Sequence, residues 1–234
     1  MYELKTKVFY SDIAEDGLAH PHQLMDYLQN CSVLDSESIG KGALKLHETG
    51  FAWIVSSWNI EIDRYPEFIE ELTIRTWPYA FDRLYGHRNF DILDSQGIEI
   101  VRADSLWVMI NIEKEMPKRL TKEDIEGYII GERIDMAPME RKLPMIDAGD
   151  KLEPFRIRRM DIDTNSHVNN ARYIAMAEEY LPKDRLPKTV KVMYRRAAKF
   201  GNKIFPVVKK QEEKLMVDLC DSEYKPFVSV EFTL

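Results

Sequence analysis

The polar and apolar positions of this chain change period in an ordered way. Met1-Tyr-Glu-Leu-Lys-Thr-Lys7 alternates, as a half-buried strand does. Leu24, Tyr27, Leu28 and Cys31 then recur at helical spacing, and Pro21 sits where a first helical turn accepts proline. Strand patterns follow over 51–63 (Trp53, Trp58, then Ile60 and Ile62), 70–77, 83–93 and 98–112, with Asp94-Ser-Gln-Gly97 as a hairpin turn. Pro66 and Pro78 are expected in connections or at strand edges, because proline cannot donate to a ladder. Tyr173, Met176, Ala177, Tyr180 and Leu181 form a second helical stripe. After it come Val190/Val192/Tyr194, a Gly201-Asn202 turn, and strands over 204–209, 214–220 and 227–234. Between the two halves, 138–154 carries Pro138, Pro144 and Pro154 and reads as a linker.

The second half repeats the first at an offset of 149. Asp12-Ile13 falls on Asp161-Ile162, Gly17 on Ser166, and Leu24, Tyr27, Leu28, Cys31 on Tyr173, Met176, Ala177, Tyr180. Each half is one helix plus about five strands, the proportions of a curved antiparallel sheet wrapped round a helix, without the strand–helix alternation of a doubly wound fold. The expected organisation is 1–137, a linker 138–154, and 155–234.

The copies differ at three places. Asp163, Asn165 and His167 fall at every second position, so an extended segment would project all three to one side. Their counterparts are Ala14, Asp16 and Leu18. An anion, an amide and an imidazole can accept, donate and shuttle a proton. Only one copy is thus equipped for chemistry, which leaves the N-terminal half to bind or enclose a substrate.

Composition narrows the classes. At 44% apolar and 31% charged, 234 residues suit a globular protein able to bury a sizeable core. No apolar run nears the roughly 20 residues that cross a bilayer, and the N-terminus lacks a signal-peptide core. Two cysteines, Cys31 and Cys220, make no disulfide framework. A cytoplasmic protein with reduced thiols is expected. Residues 151–210 hold fifteen Lys/Arg against six Asp/Glu, net +9, so the rest of a −7 chain carries −16. Such a basic region steers an acidic partner, or is simply a solvated surface balanced in three dimensions. Nucleic acid is disfavoured by the overall charge and the lack of a recognised binding motif.

Asp161-Ile-Asp-Thr-Asn-Ser-His-Val-Asn-Asn-Ala-Arg-Tyr173 resembles the D-x-D-x-N-x-H-V-N-N-x-x-Y signature of the acyl-acyl carrier protein (acyl-ACP) thioesterases of plants and bacteria. Leu24-Met-Asp-Tyr-Leu-Gln29, Arg64-Tyr-Pro66, Thr76-Trp77 and Ala103-Asp-Ser-Leu-Trp-Val108 extend the likeness along most of the chain, in order. The resemblance implies an α+β tandem hotdog fold, two antiparallel sheets each wrapped round a long helix. It implies hydrolysis of fatty acyl-ACP to free fatty acid, ending elongation in fatty acid biosynthesis. No cofactor is implied. The catalytic residues carried over are Asp163, Asn165 and His167. Plant members have an acidic residue, often followed by Cys, after a Tyr-Arg-Arg run; here Tyr194-Arg195-Arg196 precedes Ala197-Ala198. Either Asp163 and His167 suffice, or Glu178 or Glu179 substitutes, or activity is weak. A cysteine nucleophile at that place is excluded.

Thioester hydrolysis needs an activated water, oxyanion stabilisation and a protonated leaving thiolate. Asp163 and His167 would position and deprotonate the water, and Asn165 would orient water or carbonyl. Backbone N–H groups of Val168, Asn169 and Asn170, at the helix start, would polarise the thioester oxygen. Taken singly, Asp163 and Asn165 could merely cap the helix, and His167 could be a satisfied core residue. No third ligand arrives with metal-site spacing. Arg156, Arg158, Arg159, Arg195 and Arg196 are the candidates for docking the acidic carrier protein. Hotdog units usually pair, a need met by a homodimer or by two fused units. Two rivals remain: an enoyl-thioester hydratase or dehydratase, whose motif spaces Asn and His one residue further apart, and a silent acyl-thioester binder.

Overall fold

The computed structural model describes residues 1–42, 45, 49–114, 116–137 and 143–234. It divides into two compact units, Met1–Met139 and Glu140–Leu234. In the first, β1 (Tyr2–Lys7) leads through a 3-10 turn (Tyr10–Asp12) to α1 (Pro21–Ser38). Then come β2 (Phe51–Ile62), β3 (Glu71–Phe81), β4 (Tyr85–Leu93), β5 (Glu99–Asn111) and the short β6 (Met116–Pro117). A single helical turn, Lys122–Ile125, which the apolar pattern does not announce, precedes an extended strap. The sheet order is β1-β3-β4-β5-β2, every pair antiparallel, with β6 on β5.

Pro21 opens α1 because its fixed φ suits a first turn and its missing N–H is needed by no carbonyl there. Leu24, Met25, Leu28 and Cys31 lie fully buried along one stripe. Against them stand rows of sheet residues held opposite one another by register: Ile74, Ile92, Val101 and Ile62 in one, Thr76, Phe90, Ala103 and Ile60 in the next. Each fully buried Leu or Ile in such a layer is worth ~1.5–3 kcal/mol. Cys31 packs there, its thiol 3.5 Å from the Ile74 carbonyl. Both cysteines are free and buried, and burial pushes both thiols up to about 12.

The sheet's other face is polar, and the strap covers it. Ile134 N–H donates to Asn89 Oδ1 (3.0 Å), Trp77 Nε1 to the Glu132 carbonyl (2.7 Å), and Gly131 N–H to the Pro78 carbonyl (2.9 Å). Gly131 is required: a Cβ there would lie 2.3 Å from Trp77 Cδ1. Pro66 lies in a connection, as expected. Pro78 instead sits inside β3, at the bulge between Pro78 and Ala80, where the ladder is already interrupted.

The second unit repeats this order. The first edge is split into β7 (Asp150–Lys151) and β8 (Phe155–Arg156), both on β10. A 3-10 turn (Arg159–Asp161) and α2 (Asn170–Glu178) follow, then β9 (Thr189–Tyr194), β10 (Lys203–Lys210), β11 (Lys214–Cys220) and β12 (Pro226–Thr233). The order is β7-β10-β11-β12-β9. α2 buries Ala171, Tyr173, Ile174, Met176 and Ala177. It stops before Tyr180 and Leu181, whose N–H groups make tightened i→i−3 bonds, because Pro182 bars the helix from continuing. Of the expected linker, 138–142 lie outside the described residues. Leu143 is buried, Ile146 N–H donates to Asp218 Oδ2 (2.8 Å), and Asp150–Lys151 are already strand. Mostly antiparallel sheet with few helices, the architecture is of hotdog type.

Candidate functional site

The two units build the same loop, so each serves as a control for the other. Both 3-10 turns end in a buried aspartate, whose Oδ2 accepts a main-chain N–H: Phe9 to Asp12 at 2.8 Å, Arg158 to Asp161 at 2.7 Å. The aspartate's carbonyl takes the N–H at the helix entry: His20 at 3.0 Å, Asn169 at 2.9 Å. Isolated bridges Ile13↔Ala19 and Ile162↔Val168 then close a five-residue loop. It is pinned by Ala14 N–H to Leu18 O and Asp163 N–H to His167 O, both 2.8 Å. Gly17 (φ 81°) and Ser166 (φ 63°) occupy the same left-handed position.

This loop corrects the extended reading of 163–167. The run folds back on itself as a turn, which brings the main chain of Asn165 and His167 to the Asp163 carboxylate. Asp163 Oδ1 accepts the N–H groups of Asn165 (2.8 Å) and His167 (3.2 Å). Its Oδ2 has no partner among the described residues, nor do the Asn165 amide or the His167 imidazole. Asp163 and His167 are half-buried and Asn165 is exposed. In the first unit the loop holds itself with Asp16 Oδ1 on Leu18 N–H (3.0 Å) and carries no imidazole.

The helix entry is more committed than expected. Val168 N–H donates to the Ala198 carbonyl (3.0 Å) and Asn169 N–H to that of Asp161, so neither is available to an oxyanion. Asn169 is the N-cap, its side chain accepting from Ala171 N–H (2.9 Å). Asn170 opens α2, and its carbonyl accepts the Tyr194 hydroxyl (3.0 Å). The segment after Tyr194-Arg-Arg is fastened beside the loop: Ala198 N–H donates to the Tyr173 hydroxyl at 2.8 Å, while Ala197 is exposed. Tyr173, read from sequence as core alone, is thus a positioning residue. Burial pushes its hydroxyl up to about 12, and the charge of Asp163 adds to the rise. Its place as last residue of the signature was the available signal.

Glu178 and Glu179 are not placed to replace the family's acidic residue. They lie at the far end of α2, roughly 12 Å along the axis from Asn170 at 1.5 Å per residue. The charge of Glu179 falls on Arg158, together with that of Asp161. The five arginines also separate. Arg196 holds the β11–β12 turn through Asp221 (2.8 Å), as Arg64 holds the β4–β5 turn through Asp94 (3.3 Å). Arg195 spends its guanidinium on the Leu143 carbonyl (2.5 Å) and Ser229 Oγ (3.2 Å). Arg195 is half-buried in these contacts, whereas Arg196, like Arg156, Arg158 and Arg159, is exposed. No described helix is long and apolar enough to cross a membrane.

Models of the acyl-ACP thioesterase N-terminal and C-terminal domains match residues 1–128 and 147–225, and the chain belongs to that family. It is 30% identical over 191 residues to the chloroplastic acyl-[acyl-carrier-protein] hydrolase FATB3 of Cuphea viscosissima, covering 73% of this chain and 44% of the relative. The chain spans about half the length of the curated relatives it matches. In fold it is similar to an acyl-ACP thioesterase of Bacteroides thetaiotaomicron (TM-score 0.90, 23% identity, 99% of this chain and 96% of that one). It is also similar to the 12:0-ACP thioesterase of Umbellularia californica (TM-score 0.85, 19% identity, again 99% and 96%).

Proposed function

We propose that this protein is a tandem hotdog thioesterase that hydrolyses fatty acyl-ACP and releases the free fatty acid, ending chain elongation. The observation that carries the reading is the contrast between the two loops. On one frame, only the C-terminal loop sets an imidazole and an amide beside a carboxylate; its counterpart has Ala14, Asp16 and Leu18 at those places. The N-terminal unit then encloses the acyl chain and the C-terminal unit supplies the chemistry.

In this mechanism the two loop amides fix the Asp163 carboxylate, and its free Oδ2 holds a water against the thioester carbonyl. His167 takes the proton as the water attacks and returns it to the departing thiolate, so the cycle closes without an external acid. The Asn165 amide donates to the developing oxyanion, the task that Val168 and Asn169 cannot perform, and the positive end of α2 favours the same charge. No cysteine ester forms.

The test is turnover of palmitoyl-ACP, followed as free thiol. His167→Ala should lose ~10²–10⁴ in kcat, the usual worth of a general base. Parental kcat in this variant would remove His167 from the mechanism. Release of no thiol by the parent, alongside hydration of an enoyl thioester or stoichiometric acyl-ACP binding, would replace the hydrolase by one of the two rivals.

A further inference from the structure

The duplication isolates a second difference, on the surface beside the loop. The sheet register makes Lys7 and Glu71 opposite partners in the first unit and Arg156 and Lys203 opposite partners in the second. The 3-10 turns put Phe9 and Tyr10 where Arg158 and Arg159 stand. The next connection follows suit. Ala19 N–H meets the Pro66 carbonyl as Val168 N–H meets that of Ala198, so Glu67 matches Lys199 and Phe68 matches Phe200. Ile69 (φ 64°) matches Gly201 (φ 81°), which confirms the register.

One scaffold therefore carries two faces. In the first unit Lys7, Phe9, Tyr10, Glu67 and Glu71 sum to −1; in the second Arg156, Arg158, Arg159, Lys199 and Lys203 sum to +5. With Asp161 and Glu179 included the basic face keeps +3, and its counterpart with Asp12 falls to −2. Asp161 anchors Arg158 (2.9 Å), yet that side chain remains 66% exposed. Two apolar side chains on the same connections are open to solvent, Met160 (69%) and Phe200 (56%), with the Arg159 guanidinium 5.6 Å from the Phe200 ring. Exposed apolar groups rimmed by like charges mark a protein interaction site. The face is fastened to the loop: Arg158 and Arg159 lead directly into it, and Val168 N–H ties it to the 198–200 connection.

We propose that this face docks an acidic protein surface with an apolar centre, and that its partner is the carrier protein of the acyl-ACP substrate. The identity of the partner rests on the hydrolase reading; the face itself does not. Met160 and Phe200 take the apolar contact, and Arg156, Arg159, Lys199 and Lys203 supply charge complementarity and steering.

Binding of holo-ACP, which carries no scissile bond, is measured by fluorescence anisotropy for the parent, for R159E/K199E/K203E and for the milder R159Q/K199Q/K203Q, with circular dichroism to establish folding. Kd should rise by about tenfold or more in the reversed variant and severalfold in the neutral one. The parent's affinity should fall with salt, and the reversed variant's should not. The mirror variant E67Q/E71Q should bind as the parent does. Equal binding by parent and R159E/K199E/K203E, or a parent that does not bind holo-ACP, overturns the docking site. Hydrolysis of palmitoyl-N-acetylcysteamine by the parent would leave the hydrolase reading standing in either case. Conversely, salt-sensitive docking by a parent that cleaves no thioester would retain this face and remove the enzyme.

Discussion

Asp163 has two separable duties, because one of its oxygens holds the loop and the other is left for the proposed water. Asparagine keeps an Oδ1 acceptor for the Asn165 and His167 N–H groups but loses the charge; alanine loses both. Asp163→Asn should therefore stay within about 0.5 kcal/mol of parental stability, whereas Asp163→Ala should cost about 1–2 kcal/mol. Both should lose palmitoyl-ACP turnover, and urea unfolding beside kinetics separates the two effects. Equal stability of the two variants would mean that the loop amides do not depend on this carboxylate. The identities of the three polar residues were legible in the sequence; their conformation was not. Alternation suggested a strand, yet Asp-Thr-Asn-Ser is also a run of turn formers, and the left-handed Ser166 settles it as a turn. The Gly17 counterpart already hinted at that.

At the scale of elements, strands and helix faces followed from period because burial on one side imposes it. What escaped was set by partners distant in sequence. The bulge that admits Pro78, the strap over the polar sheet face, and the clamps made by Arg64 and Arg196 each depend on such contacts. The strap covers an unusual charge. Asp104 on β5 is buried between Asn59 and Asn89 in register, with Tyr79 Oη donating to both its oxygens (3.1 and 3.2 Å) and Arg133 3.7 Å away. Burial holds its carboxyl above the ordinary carboxylate range; the Tyr79 hydrogen bond and the charges of Arg133 and His87 only partly oppose this. The folded state thus holds this proton more tightly than the unfolded chain. Its contribution to stability is full below the unfolded value and is lost as pH rises through the folded value. Asp104→Asn stays neutral and still accepts from Tyr79. Its Tm should exceed the parent's at neutral pH, and the gap should close as pH falls toward ~4. A parental Tm that climbs with pH over that window, relative to the variant, would show that Asp104 gains more from Arg133 and Tyr79 than it loses by burial.

Across the whole molecule, duplication lets frame and function be varied independently. The loop bonds of the two units agree within a few tenths of an ångström, and both place a left-handed residue at the same point. The frame is thus indifferent to whether Ala14, Asp16 and Leu18 or Asp163, Asn165 and His167 occupy it. Grafting A14D/D16N/L18H onto the N-terminal loop tests this. Ala14 and Leu18 are half-buried, as Asp163 and His167 are, so the graft should fold with a Tm within about 2–4 °C of the parent, the equivalent of ~1 kcal/mol. Placed in a His167→Ala background, it should nevertheless restore little palmitoyl-ACP turnover. The grafted loop is flanked by Phe9, Tyr10, Glu67 and Glu71, a face that attracts no acidic carrier. Rescue to parental kcat/KM would show that the three loop residues alone define the site, and that the basic face beside the native loop contributes nothing to turnover. Failure to rescue, followed by recovery once E67K/E71K and Y10R are added, would assign catalysis to the loop and delivery of the substrate to the charges around it.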